Sequence, residues 1–141
     1  MVPHPIIVDF AVALLVVSVA FDLLASIAEE RDLRVVAWWT LILGTVAAML
    51  SAVSGYVASG LAGSDPVVVE TIQLHRNLGL ATVAAFTTCA VWRIREPASF
   101  PRRFRDAYWA ITALGLGLLL VTGYFGGILV FRLGVGFVRP S

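Results

Sequence analysis

Four apolar stretches, each about 20 residues or longer, constrain this chain more than any other feature. They run roughly over 6–28, 35–61, 71–92 and 108–131. About 20 apolar residues suffice for a helix to cross the hydrocarbon core of a bilayer. In lipid the backbone must satisfy its own hydrogen bonds, and a helix does so within one segment. The sequence therefore predicts an all-α integral membrane four-helix bundle, with residues 1–141 as a single domain. All six prolines (Pro3, Pro5, Pro66, Pro97, Pro101 and Pro140) fall outside the predicted spans or at their very edge, as the cost of a mid-helix proline requires. The links over 29–34, 62–70 and 93–106 are short. Short links make sequential helices antiparallel neighbours, so the expected topology is up-down-up-down.

Composition agrees. The chain is 60% hydrophobic and 13% charged, where a soluble domain has about a quarter of its residues charged. Disorder, an ordinary soluble fold and nucleic-acid binding by a basic surface are excluded. A net charge of +1 points to no acidic or basic partner, and one cysteine excludes an internal disulfide. No nucleotide loop, Ser-His-Asp triad or HExxH pattern is present, so a hydrolytic role has no support. No inverted repeat of the kind found in transporters is visible.

Arginine sets the expected orientation, since there is no lysine. Arg31, Arg34, Arg93, Arg95, Arg102, Arg103 and Arg105 fall on one side; Arg76, Arg132 and Arg139 fall on the other. The richer side is expected in the cytoplasm. Both termini are then extracytoplasmic, in a bacterial inner membrane. Trp38, Trp39, Trp92 and Trp109 lie at the arginine-rich ends and read as an interfacial belt. The first span lacks a basic start, and its apolar run is longer than the h-region of a signal peptide, so it is expected to be retained.

Ionisable residues inside spans are costly and often functional. His4 and Asp22 lie 18 residues apart, as do His75 and Arg93. Eighteen residues make five helical turns, about 27 Å, so each pair shares one helix face. Ala11, Ser18 and Ser26 join the first face; Gly79, Thr82, Phe86 and Cys89 join the second. If the faces meet with His4 level with His75, Asp22 comes level with Arg93. A structural Asp22–Arg93 ion pair is expected, with Arg34 as the rival partner. Simpler readings stand beside these. His4 in its Pro-His-Pro mouth and His75 each suit a solvated or locally satisfied histidine. Asp9 suits a helix N-terminus, and Cys89 a small buried apolar residue.

Ser51-x-x-x-Gly55 and Gly123-x-x-x-Gly127, with Gly115, Gly117 and Gly126, allow close helix approach. Internal packing, homo-oligomer formation and docking on a larger complex all use such faces.

The opening His4-Pro5-Ile6-Ile7-Val8-Asp9-Phe10, the Phe21-Asp22-Leu23-Leu24 run, His75 at the third helix and the ending Gly126-Gly127-Ile128-Leu129-Val130-Phe131-Arg132-Leu133-Gly134-Val135-Gly136 resemble a bacterial family of four-helix membrane proteins, domain of unknown function 2231. The resemblance covers nearly the whole chain. Relatives read His-Pro-x-x-x-His-Phe at the start and Arg-His-Gly-Val-Gly at the end. Asp9 and Leu133 stand at two of those histidine positions here, which leaves His4 and His75. Some relatives are joined to iron–sulfur domains, and the resemblance thereby implies redox work.

Three functions follow as expectations. The first is a non-catalytic accessory or structural subunit, docked in the lipid bilayer on a membrane redox complex. The second is a b-type haem electron carrier, with His4 and His75 as axial ligands and Arg76 and Arg132 pairing with propionates. The third is a divalent metal site built from His4, Asp9, Glu70 and His75.

Overall fold

The computed structural model describes residues 4–60, 65–94 and 105–135. They form four helices: α1 (His4–Ala28), α2 (Arg31–Ser59), α3 (Pro66–Arg93) and α4 (Arg105–Gly127). A π-helical turn, Ile128–Arg132, continues α4. No strand occurs among the described residues. Arg95, Arg102, Arg103 and Arg139 lie outside the described residues.

Local signals explain two of the boundaries. Asp65 caps α3, its Oδ1 accepting from Val67 N at 2.8 Å, with Pro66 in the first turn; this is a favourable N-terminal pattern. Between α1 and α2 only Glu29 and Glu30 intervene, and the reversal is achieved at Glu29, with φ 58°.

Three of the four helical segments are long and apolar enough to cross a membrane: α1, α2, and α4 with its π turn. The third expected span does not reach that hydropathy. Glu70, Gln73, His75, Arg76 and Asn77 occupy the first half of α3, and they lower its apolar content where the candidate site lies. The outward faces carry exposed Phe10, Leu23, Leu43, Val53, Leu114 and Leu120, as lipid-facing positions should.

Two hairpins make the bundle. Helix α1 packs chiefly on α2, and α3 chiefly on α4. Each is antiparallel with a constant register: His4 meets Gly55 and Leu15 meets Gly44, while His75 meets Gly126 and Phe86 meets Gly115. The core follows heptad-like stripes: Ala11, Leu15, Ser18, Asp22 and Ala25 on α1, and Tyr108, Thr112, Gly115 and Leu119 on α4. Such spacing keeps a seam facing its partner helix. Burial is uneven along the bundle. The end holding Asp22 and Arg93 is tightly packed, whereas at the histidine end Leu129 is the single buried residue among those described.

An ion pair fastens the tight end. Arg93 Nη1 lies 2.7 Å from both carboxylate oxygens of Asp22. Tyr108 Oη donates to Asp22 Oδ2 at 2.9 Å, and Arg93 Nη2 donates to the Arg34 carbonyl at 3.1 Å. Arg34, the expected rival for Asp22, thus contributes its backbone to the same cluster. Trp38 departs from the interfacial belt: it is buried, with the Arg93 guanidinium carbon 5.9 Å from its ring centroid. Trp92 and Trp109 flank Tyr108 edge-on at 6.4 and 5.9 Å. Trp39 alone of the four is mostly exposed, at 58%. Cys89 is buried beside Thr112, at 3.5 Å.

Two stability tests follow. A Cβ at Gly44 would lie 2.9 Å from the Leu15 side chain and 3.0 Å from its backbone nitrogen. Gly44→Ala should destabilise the protein by about 1–3 kcal/mol through overpacking, while Gly117→Ala, with nothing within 4 Å, should be neutral or slightly stabilising. Unfolding titrations in detergent measure both. In the same assay Arg93→Leu should cost about 3–5 kcal/mol by stranding a buried carboxylate, and adding Asp22→Leu should recover most of that loss. Equal losses in the single and double variants would mean the pair does not carry the effect.

Candidate functional site

At the opposite end from the ion pair, each hairpin presents one histidine. His4 opens α1, and its Nδ1 lies 2.9 Å from Ser54 Oγ on α2. His75 lies in the third turn of α3, and its Nδ1 lies 3.0 Å from the Thr122 carbonyl oxygen on α4. Both rings are half-buried.

Glycines seat the rings. A Cβ at Gly55 would come within 2.9 Å of His4 Cε1, and one at Gly126 within 3.1 Å of His75 Cε1. Each imidazole therefore lies against bare backbone of the partner helix. The small residues of Ser51-x-x-x-Gly55 and Gly126 serve ring placement as well as helix packing.

The hydrogen bonds of both rings run through Nδ1. A carbonyl oxygen only accepts, so His75 must carry its proton on Nδ1 when neutral. Its Nε2 then holds a lone pair. The two imidazoles stand on different hairpins, and Nε2 of each takes no part in these two bonds.

The carboxylates expected beside them are elsewhere. Asp9 and Glu70 are exposed, and no group of three or more His, Cys, Asp or Glu is poised for a metal among the described residues. Helix geometry gives the reason. Asp9 follows His4 by five residues and Glu70 precedes His75 by five, which turns each carboxylate about 140° away from its histidine. Arg76 is exposed on α3 beside His75. Arg132 is exposed on the π turn, at the edge of a surface groove lined by Gly123, Tyr124, Gly127, Ile128 and Phe131. Asp22 and Arg93 belong to the other end and take no part in this site.

Three contributors were not read from the sequence: Ser54, the Thr122 carbonyl and Tyr108. The first two follow from hairpin register, which sequence spacing leaves open. Tyr108 had a usable signal, since it starts α4 on the heptad stripe of Thr112, Gly115 and Leu119.

No curated protein and no solved structure matches this chain. A family of predicted membrane proteins, DUF2231, matches over residues 3–139. With nearly its whole length matched, the chain belongs to the DUF2231 family of predicted membrane proteins.

Proposed function

We propose that this protein is a small membrane electron carrier in which His4 and His75 supply the two axial ligands of one b-type haem. The observation that carries this reading is the pair of imidazoles, each anchored through Nδ1 with its Nε2 outside the anchoring bond. Ligand number decides between haem and a bare cation. Zinc takes three or four protein ligands, and among the described residues no group of three or more His, Cys, Asp or Glu is poised for a metal. A haem brings its own equatorial nitrogens and needs only two more donors. Loose packing at the histidine end favours admission of a flat group between the hairpins. When bound, the haem would supply one-electron chemistry. The protein would hold it, limit its contact with water and set its orientation. Arg76 and Arg132 are the residues suited to its propionates, because a guanidinium matches a carboxylate. The arginine distribution supports an orientation with the histidine end and both termini outside, in the cytoplasmic membrane of a bacterium.

A second reading rests on a separate observation. Among the described residues nothing lies within 4 Å of a would-be Cβ at Gly117 or Gly123, so part of the close-approach surface is unused there. A cofactor-free accessory subunit would dock that face on a larger membrane redox complex or on another copy.

Absorption spectra of protein purified from haem-supplemented cells distinguish the two. The carrier reading expects a Soret band that sharpens on dithionite reduction, with an α band that His4→Ala and His75→Ala each abolish. A featureless visible spectrum with blank metal analysis favours the accessory subunit.

A further inference from the structure

The two imidazoles are held by different kinds of acceptor. For His75 it is a backbone carbonyl, which no side-chain substitution removes. For His4 it is the hydroxyl of Ser54. A hydroxyl either donates or accepts, so the identity of the donor has to be argued. Ser54 Oγ also lies 3.0 Å from the Ser51 carbonyl, its acceptor in the preceding turn. That contact uses the one hydroxyl proton, and Oγ is left to accept. The accepting Ser54 hydroxyl therefore calls for a protonated Nδ1 on His4.

We infer that Ser54 is a positioning residue that fixes neutral His4 in its Nδ1–H tautomer and thereby keeps the His4 Nε2 lone pair available to a ligand. The tautomer assignment rests on this geometry alone; its use in holding an iron rests on the haem reading above. Gly55 supports the arrangement, because His4 Cε1 lies where its Cβ would stand, at 2.9 Å, with Nε2 and Nδ1 at 3.4 and 3.5 Å. An unrestrained imidazole prefers the Nε2–H tautomer, which would present a proton where a ligand needs a lone pair. Ser54 reverses that preference at His4, as the Thr122 carbonyl does at His75. Partners of this kind also raise the basicity of the donor nitrogen, and their loss weakens metal affinity by about 10–100-fold.

The test uses the full chain in detergent with 15N-labelled histidine, at a pH where the rings are neutral. Long-range 1H–15N spectra read which ring nitrogen carries the proton. Wild-type His4 is expected to show a protonated Nδ1 and an unprotonated Nε2. Ser54→Ala should move His4 toward the Nε2–H form, and Ser54→Thr should restore the wild-type pattern. His75 should stay unchanged in all three, which also reports that the bundle is intact. A wild-type His4 already in the Nε2–H form, or a His4 signal indifferent to Ser54→Ala, overturns the inference without need of a further variant. Haem titration of the same samples separates the two claims. Weaker uptake by about 10–100-fold in Ser54→Ala alone supports both. Equal uptake in all three overturns the positioning role. No uptake by any of them, with the tautomer change intact, sustains the assignment for Ser54 and overturns the haem reading.

Discussion

A buried arginine and a buried aspartate, each on a different hairpin, are the constraint on which the arrangement of this bundle rests. Either charge alone in a membrane interior would be expensive. Together they are tolerable only if nearly every donor and lone pair is met. The cluster comes close to that condition: Asp22 receives Arg93 and Tyr108, and Arg93 also reaches the Arg34 carbonyl and the face of Trp38. Five contributors from all four helices converge on one point. Such a pair need not add net stability compared with an apolar core. What it supplies is register. Sliding α1 along α3 by even one residue would separate the charges by about 1.5 Å, and the cluster would lose its short contacts.

Register at one end fixes neighbours at the other. With Asp22 paired to Arg93, the shared spacing of 18 residues puts His4 and His75 at the same opposite end of the bundle. This part of the design was legible in the sequence because it depends only on helical period and on the expense of a lone charge. The four helices and the sides of the two polar faces were legible for the same reason. Partners across an antiparallel hairpin were not. They depend on where the chain reverses, and a link such as 93–106 does not declare its turn. Ser54 and the Thr122 carbonyl were therefore missed. Trp38 was read as interfacial because an aromatic near an arginine-rich end usually is; its buried place over Arg93 is a packing outcome. Asp9 and Glu70 were grouped with the histidines by proximity in sequence, and the 100° step per residue turns both away.

Glycine does different work at the two ends. Gly44 and Gly115 lie in the tight half and admit large apolar side chains, Leu15 and Phe86. Gly55 and Gly126 lie in the loose half and admit imidazoles. The same substitution of a hydrogen for a methyl group thus gives core density in one place and ring placement in the other. Helix α4 then changes from α to π pitch directly after Gly127. A π turn widens the helix and is common near functional positions. Here it falls next to the histidine end and carries Arg132.

The contrast between the ends is what permits a site at all. A bundle packed throughout like its Asp22–Arg93 end would leave no donor outside the protein's own bonds and no space for a foreign group. One packed throughout like its histidine end would not hold two rings in a fixed relation. The Asp22–Arg93 pair fastens one end of the bundle, and hydrogen bonds at Nδ1 orient the imidazoles at the other. The polar residues that lower the hydropathy of α3 follow from the same division. They make α3 the least apolar helix of the four; His75 among them is half-buried, while Glu70, Gln73, Arg76 and Asn77 stay exposed on its surface.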